Sequence, residues 1–199
     1  VFSTNNSGSN WIQKSKIIVE QTTNEKLYHD FGTSLDISSN ITGSLINIIV
    51  GSPRTQVNLN GLGKVYFITS TNIGNTWSIS SKDTSSIYDV TITESSLQKN
   101  NFGMTVSIDE YAIISCPSLN SQKNSTVSFF KYNGSNWDHK KTFSQASSSD
   151  YLSFGTDISI SNNYAVVGNY STSSKTNNIY IYNTEDSGET WTETGLDGI

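Results

Sequence analysis

Apolar and polar residues alternate strictly in several short runs of this chain. In the run 157–160, Ile158 and Ile160 would face one side of a strand, and Asp157 and Ser159 the other. Two more apolar runs follow at 164–167 and 179–182, and clusters of Asn, Ser and Thr separate them. Such alternation between polar turn clusters is typical of half-buried antiparallel strands. The best helical candidate, 85–97, is rich in β-branched residues, so we predict a short strand or irregular crossing there and an all-β fold.

The same strand pattern occurs three times in the same order. Each unit opens with a Phe-Gly pair and contains three apolar strands. A Gly-containing turn then leads to a tryptophan. The four tryptophans, at positions 11, 77, 137 and 191, are 66, 60 and 54 residues apart. Ordered self-similarity with four strands per unit is typical of β-propeller blades. We expect residues 1–199 to form a single β-propeller segment of a longer propeller, with a partial blade at 1–20 and three four-stranded antiparallel blades at about 31–83, 102–143 and 154–199.

The aromatic and glycine positions of the repeat are predicted to be architectural. Each Phe can wedge between neighbouring blades, and the Gly after it allows close backbone approach or a positive φ. Each Trp begins the outermost strand and can cover the flank of its blade. These structural repeat residues are Phe31, Gly32, Phe102, Gly103, Phe154, Gly155, Trp11, Trp77, Trp137 and Trp191.

Composition removes several classes of function. The net charge is −5 and Arg54 is the only arginine, whereas phosphate contacts need clustered Lys and Arg, so a nucleic-acid partner is not expected. No apolar run approaches the roughly 20 residues that span a bilayer, so membrane insertion is not expected either. Cys116 is the only cysteine and is predicted to be a small buried side chain, which excludes an internal disulfide.

The chain resembles the FG-GAP repeat of integrin-α-like β-propellers, in the variant found in bacteria, viruses and protists. Residues 11–17 (WIQKSKI) match the opening of that repeat; Phe31-Gly32, Gly51-Ser52-Pro53 and 63–67 (GKVYF) match the remainder. The second and third units depart from it at Ser115-Cys116-Pro117 and Gly168-Asn169-Tyr170. The resemblance implies a seven-bladed ring, hence further blades from the same polypeptide. Three blades cannot close a ring, because propellers typically have about 4 to 8 blades. The alternative source of further blades is a second copy of the chain, which would give a six-bladed ring.

The turns before the tryptophans resemble the Asp box of sialidase-like propellers. Residues 184–191 (TEDSGETW) have its full form, while 70–77 and 4–11 carry Asn72 and Asn6 in place of the aspartate. The Asx side chain is expected to bond nearby backbone amides and to carry no chemistry. A sialidase-like site would need three arginines, which this chain alone does not supply.

Metal, cofactor and catalytic residues are all predicted to be absent. No loop has the closely spaced carboxylates of a calcium site; 58–61 and the turn at Asp186 are the nearest approaches. His29 and His139 are isolated and lack a metal-ligand spacing. None of the common nucleophile, zinc or phosphate-loop motifs is present.

Five N-x-S/T sequons are candidate glycosylation sites. They lie at Asn5, Asn40, Asn124, Asn133 and Asn169. Ser and Thr are so abundant that chance alone would give a similar number, although the predicted loop positions fit attachment.

Together these patterns predict a noncatalytic recognition, adhesion or assembly scaffold on a cell surface, on a virion or in the extracellular space. Its partner would be a protein or further blades of the same polypeptide, with a glycan as another candidate. One alternative is a glycan-acting enzyme whose catalytic residues lie on blades outside this sequence. The other is a lectin-like propeller that binds sugars through exposed aromatics. Of the candidates Tyr132, Tyr151 and Tyr170, we expect Tyr132 to face the core or to pair across strands, so this alternative depends mostly on Tyr151 and Tyr170.

Overall fold

The computed structural model describes residues 1–4, 7–18, 25–26, 30–40, 44–53, 56–57, 63–83, 101–117, 124–145, 152–171 and 178–194. Within these ranges the chain is all-β, as predicted, and contains no helix. The strands are β1 (Phe2–Ser3), β2 (Ile12–Gln13), β3 (Glu25–Lys26), β4 (Ser34–Ser39), β5 (Ile46–Ser52), β6 (Gln56–Val57), β7 (Lys64–Ser70), β8 (Ser78–Asp83), β9 (Val106–Ile108), β10 (Tyr111–Cys116), β11 (Ser125–Tyr132), β12 (Trp137–Gln145), β13 (Leu152–Ser161), β14 (Tyr164–Ser171), β15 (Asn178–Asn183) and β16 (Thr192–Thr194).

Twelve of these strands form three four-stranded antiparallel sheets. The first sheet has the order β4-β5-β7-β8, the second β9-β10-β11-β12 and the third β13-β14-β15-β16. Strands therefore lie side by side in chain order, with β1-β2 and β3-β6 as separate two-stranded ribbons. The fourth strand of each sheet begins at its tryptophan or directly after it. The candidate extra strand at 85–97 lies outside the described residues.

The three sheets pack face to face, with the second in the middle. Because side chains alternate along a strand, β10 sends Ala112 and Ile114 toward the first sheet and Tyr111 and Ile113 toward the third. Cys116 is buried on the side of the first sheet, as predicted. The middle sheet is thus apolar on both faces, which is why its strands read as nearly continuous apolar runs.

A third apolar cluster lies on the far side of the first sheet. It contains Ile48, Val50, Tyr66 and Ile68, and the N-terminal segment packs against it through Val1 and Ile17. Val1 and Ile17 therefore cover part of the face that points away from the second sheet.

Candidate interaction site

The first and second sheets interlock through a Phe-Gly pair. Phe102 is buried in the cluster shared by both sheets. Gly103 has a φ of 88° and lies against Gly51 of β5, so closely that a Cβ on Gly51 would overlap the carbonyl oxygen of Gly103. A Cβ on Gly103 would in turn lie 2.8 Å from Cγ2 of Val65 and 2.9 Å from the carbonyl oxygen of Lys64. Both glycines are required by backbone approach between the sheets.

The second and third sheets interlock in the same way. Phe154 is buried between them, and a Cβ on Gly155 would lie 2.9 Å from Cβ of Ser115 and 3.0 Å from Cγ2 of Val127. The Thr105 hydroxyl donates to the Gly155 carbonyl oxygen at 3.0 Å. By strand pairing Ser115 is equivalent to Gly51, so the contact is a repeated feature of the chain.

The tryptophans of the second and third sheets complete these contacts. Trp137 stacks on Phe67 of the first sheet with ring centroids 4.9 Å apart, and Trp191 stacks on Phe129 of the second at 4.5 Å. Phe67 and Phe129 hold equivalent positions on the third strands of their sheets. Each tryptophan therefore covers the preceding sheet rather than only the flank of its own.

Hydrogen bonds from the first strand of each sheet add to the interlock. The carboxylate of Asp36 accepts the Ser107 hydroxyl and the Ile108 N–H, both at 2.9 Å, across the first and second sheets. The Ser107 hydroxyl oxygen then accepts the Ile160 N–H of the third sheet at 3.3 Å. The Ser34 hydroxyl oxygen accepts the Val106 N–H at 3.1 Å. Polar residues that alternate with the apolar ones thus join neighbouring sheets.

The Asp-box-like turn has the predicted hydrogen bonds. Asp186 Oδ1 accepts the Thr190 N–H at 2.8 Å, Oδ2 accepts the Thr190 hydroxyl at 2.6 Å, and the Thr184 hydroxyl oxygen accepts the Gly188 N–H at 2.8 Å. The hydrogen bonds from Thr190 lower the pKa of Asp186 to about 2. A Cβ on Gly188 would overlap the ring of Tyr111, so the turn is also seated on the second sheet.

The turn that ends at Trp77 repeats this pattern with an amide. Asn72 Oδ1 accepts the Thr76 N–H at 2.9 Å, and the Ser70 hydroxyl oxygen accepts the Gly74 N–H at 2.9 Å. Hydrogen bonds within a short polar turn therefore occupy these side chains. The other loop compared with a calcium site, 58–61, lies outside the described residues. Among the residues that the structure describes, no three His, Cys, Asp or Glu side chains form a group able to hold a metal ion.

Two predicted repeat positions differ from their equivalents. Phe31 is 39% exposed, so the expectation of burial is wrong for it, and a Cβ added to Gly32 would have no atom within 4 Å. Trp11 is 64% exposed, whereas Trp77 is half-buried and donates its indole N–H to the Ser15 hydroxyl at 3.1 Å. The physical reason is the lack of a preceding four-stranded sheet among the described residues. Phe31 instead packs only edge-on against Tyr66 of its own sheet, with ring centroids 5.3 Å apart.

One sequon is incompatible with glycosylation. Asn169 is 6% exposed because it follows Val167 by two positions and so lies on the inward face of β14. Asn40, Asn124 and Asn133 are exposed, and Asn133 Oδ1 also accepts the N–H groups of the turn that follows it. Asn5 lies outside the described residues.

Of the three tyrosines considered for sugar binding, Tyr170 is exposed. Tyr132 is half-buried and packs near Trp137, with ring centroids 5.5 Å apart. Tyr151 lies outside the described residues. Tyr164 is also exposed and shares the outward side of β14 with Tyr170, because the two are six positions apart.

The face of the third sheet that points away from the second is open. We call it the outer face of the third sheet and define it by Val166, Gly168, Ile179 and Ile181, which pair across β14 and β15. Val166 is 40% exposed and Ile179 58%. A cleft of about 210 Å³ lies on this face and is also lined by Asp157, Ile158 and Ser159. From the sequence alone, Gly51 and Gly168 are predicted only as turn positions. Both follow the second apolar run of their units, and this shared position is the sequence feature that could have indicated a common packing role.

Charged and titratable groups nearby serve the packing of the sheets. Glu189 accepts hydrogen bonds from Nζ of Lys131 at 2.7 Å and Nζ of Lys140 at 2.8 Å, which lowers its pKa. The pair links the second sheet to the turn of the third. Burial raises the pKa of Cys116 to about 12, and burial also lowers the pKa of His139.

Comparison with protein-family models and with curated proteins finds no match for this chain. A search of the described residues finds no helix long and apolar enough to cross a membrane.

Proposed function

We propose that the chain is a noncatalytic scaffold for recognition, adhesion or assembly, built from consecutive blades of an FG-GAP-like β-propeller. The observation that supports this proposal is the repeated interlock. Phe102-Gly103 and Phe154-Gly155 join successive sheets by equivalent contacts, and apolar side chains also lie on the outward-pointing faces at both ends of the stack. Sheets that stack by one repeated contact rotate by a constant amount, which is how blades surround an axis.

The placement of the polar residues also favours a scaffold. Asp36, Ser107 and Asp186 bond backbone N–H groups and hydroxyls within the stack, so their hydrogen-bonding capacity is used for architecture. Loops carry function more often than strands in such arrays. We place the protein in the extracellular space, on a cell surface or on a virion, with a protein partner or further blades bound to it.

Isolation of the intact native polypeptide tests both parts of the proposal. Electron microscopy should show a closed ring with a blade number in the usual range of about 4 to 8. Labelled protein should bind saturably to cell-surface or particle-surface preparations and leave their glycans unchanged by mass spectrometry. An open, unclosed stack would contradict the propeller, and release of sugar from fluorogenic sialosides would contradict the noncatalytic role in favour of the enzyme alternative.

A lectin-like function is the second candidate, favoured by the exposed rings of Tyr164 and Tyr170 on one side of β14. Flat aromatic rings can stack on the apolar faces of sugars. A glycan array would test it with Tyr170→Ala, and with Leu35→Ala as the control, since Leu35 is also exposed but lies on the first sheet. Glycans that bind the unmodified chain and the Leu35→Ala control but not Tyr170→Ala would support this candidate. An array with no bound glycan would exclude it.

A further inference from the structure

No contact among the described residues explains why position 168 is a glycine. It lies within β14, where a glycine is destabilising relative to alanine because it loses more backbone freedom on folding. Its φ is not in the left-handed region, and a Cβ placed there would meet nothing nearer than the carbonyl oxygen of Asp157 at 3.4 Å, an ordinary contact. A glycine inside a strand often marks close approach by another backbone. None of the described residues makes such an approach to Gly168, so a group outside them would have to supply it.

The equivalent positions show what that group is. By strand pairing, Gly51, Ser115 and Gly168 hold the same place on the second strand of the three sheets. Gly51 receives the backbone of Gly103, and Ser115 receives Gly155. We propose that the outer face of the third sheet is a docking site for the Phe-Gly segment of a further repeat sheet, with Gly168 leaving room for the backbone of its glycine.

The remainder of the face matches the two occupied ones. Ile49 and Val65, which hold the positions of Val166 and Ile179, are fully buried by the second sheet, whereas Val166 and Ile179 are exposed. Covering these two side chains would remove their apolar surface from water, which is the dominant favourable term in most protein association. The outer face of the third sheet therefore has the same apolar positions as the first sheet, but no described sheet packs on them.

Polar groups for the docking strand are also in place. At the first interlock the Ser34 hydroxyl and the Asp36 carboxylate accept backbone N–H groups of the second sheet. Asp157 and Ser159 hold the equivalent positions on the third sheet and line the cleft. They would accept the N–H groups of an incoming first strand in the same way.

The occupant is a further repeat sheet rather than a second copy of this chain. Within the described part of the chain, the Phe-Gly face left free is that of Phe31 and Gly32 on the first sheet. Val1, Ile17 and Trp77 pack against Ile48, Val50, Tyr66 and Ile68 on that face, so a complete third sheet of another copy would overlap Val1 and Ile17. This inference rests on the proposed scaffold and names the chemistry of its partner: Phe-Gly followed by an alternating apolar strand.

A fluorescent peptide with the sequence of residues 101–117, carrying Cys116→Ser, is a suitable probe because it contains Phe102, Gly103, β9 and β10. Anisotropy with the full chain should show saturable binding. Gly168→Val in the protein should weaken it at least about tenfold, as should Gly103→Val in the peptide, because either side chain fills the space between the backbones. Leu35→Ala, on the opposite end of the stack, is the matched control and should leave binding unchanged.

Three outcomes would overturn the proposal. These are no saturable binding up to millimolar peptide, binding insensitive to Gly168→Val, and binding that Leu35→Ala weakens equally, which would indicate nonspecific adhesion to apolar surface. Sedimentation of the chain alone adds a fourth: dimers abolished by both Gly168→Val and Phe31→Ala would identify a second copy as the occupant. Peptide binding is independent of any sugar-releasing activity, so this inference and the proposed noncatalytic role can fail separately.

Discussion

The two strand glycines Gly51 and Gly168 should respond in opposite directions to the same substitution. In Gly51→Ala the new methyl overlaps the carbonyl oxygen of Gly103 and lies 3.0 Å from its carbonyl carbon. Carbon atoms rest at about 3.5–4.0 Å, so the first and second sheets must separate locally by on the order of 1 Å. In Gly168→Ala the methyl enters open space, with its nearest contact at 3.4 Å.

The expected magnitudes follow from these contacts. Overpacking costs about 1–3 kcal/mol, and Gly51→Ala should fall in the upper part of that range because rigid backbone lies on both sides. Gly168→Ala should be neutral or gain up to about 1 kcal/mol, since it removes backbone freedom from the unfolded chain. For a chain of this length the Gly51 variant should melt about 4–12 °C lower.

Urea unfolding followed by tryptophan fluorescence measures both changes in the free energy of unfolding. Trp137 lies in the contact that Gly51→Ala opens, so its emission should shift to the red even before unfolding. Equal destabilisation by the two substitutions would refute the reasoning, because it would mean that strand conformation, and not backbone approach between sheets, requires glycine here.

Other predictions follow from the same structure. Phe154→Ala should cost about 3–5 kcal/mol in denaturant unfolding and Phe31→Ala less than about half of that, because only Phe154 is enclosed by two sheets; equal costs would contradict this. The pKa of Asp186 is lower folded than unfolded, so its stabilisation is present above about pH 4 and is lost as pH falls toward about 2; melting temperatures of Asp186→Asn should depend less on acid over that window, and parallel curves would count against the turn. Cys116, with its pKa raised to about 12, should resist thiol reagents until the chain unfolds; rapid labelling of the native protein would show otherwise. Millimolar calcium should not raise the melting temperature, and a rise of several degrees would reveal a site.

Local features of the fold could be predicted from the sequence because their causes are local. Alternation of Ile158 and Ile160 with polar neighbours fixes which residues share a side of β13, and Asp186 bonds groups only four residues away. The order of strands within each sheet follows as well, since short turns join antiparallel neighbours. The Asp-box-like turn could therefore be predicted down to its hydrogen bonds.

Positions decided by the packing of one sheet on another could not be predicted in this way. Phe31 and Phe154 have the same local sequence setting, yet among the described residues only Phe154 of the two has a preceding four-stranded sheet against it. Asn169 carries a sequon, but the face of β14 that it occupies is the buried one. Gly51 and Gly168 both end the second apolar run of their units in the sequence, and only the tertiary structure shows that the backbone of Gly103 lies against Gly51 whereas no described backbone lies as close to Gly168. Strand periodicity sets which side chains share a face, whereas the neighbour that the face meets depends on residues 50 or more positions away along the chain.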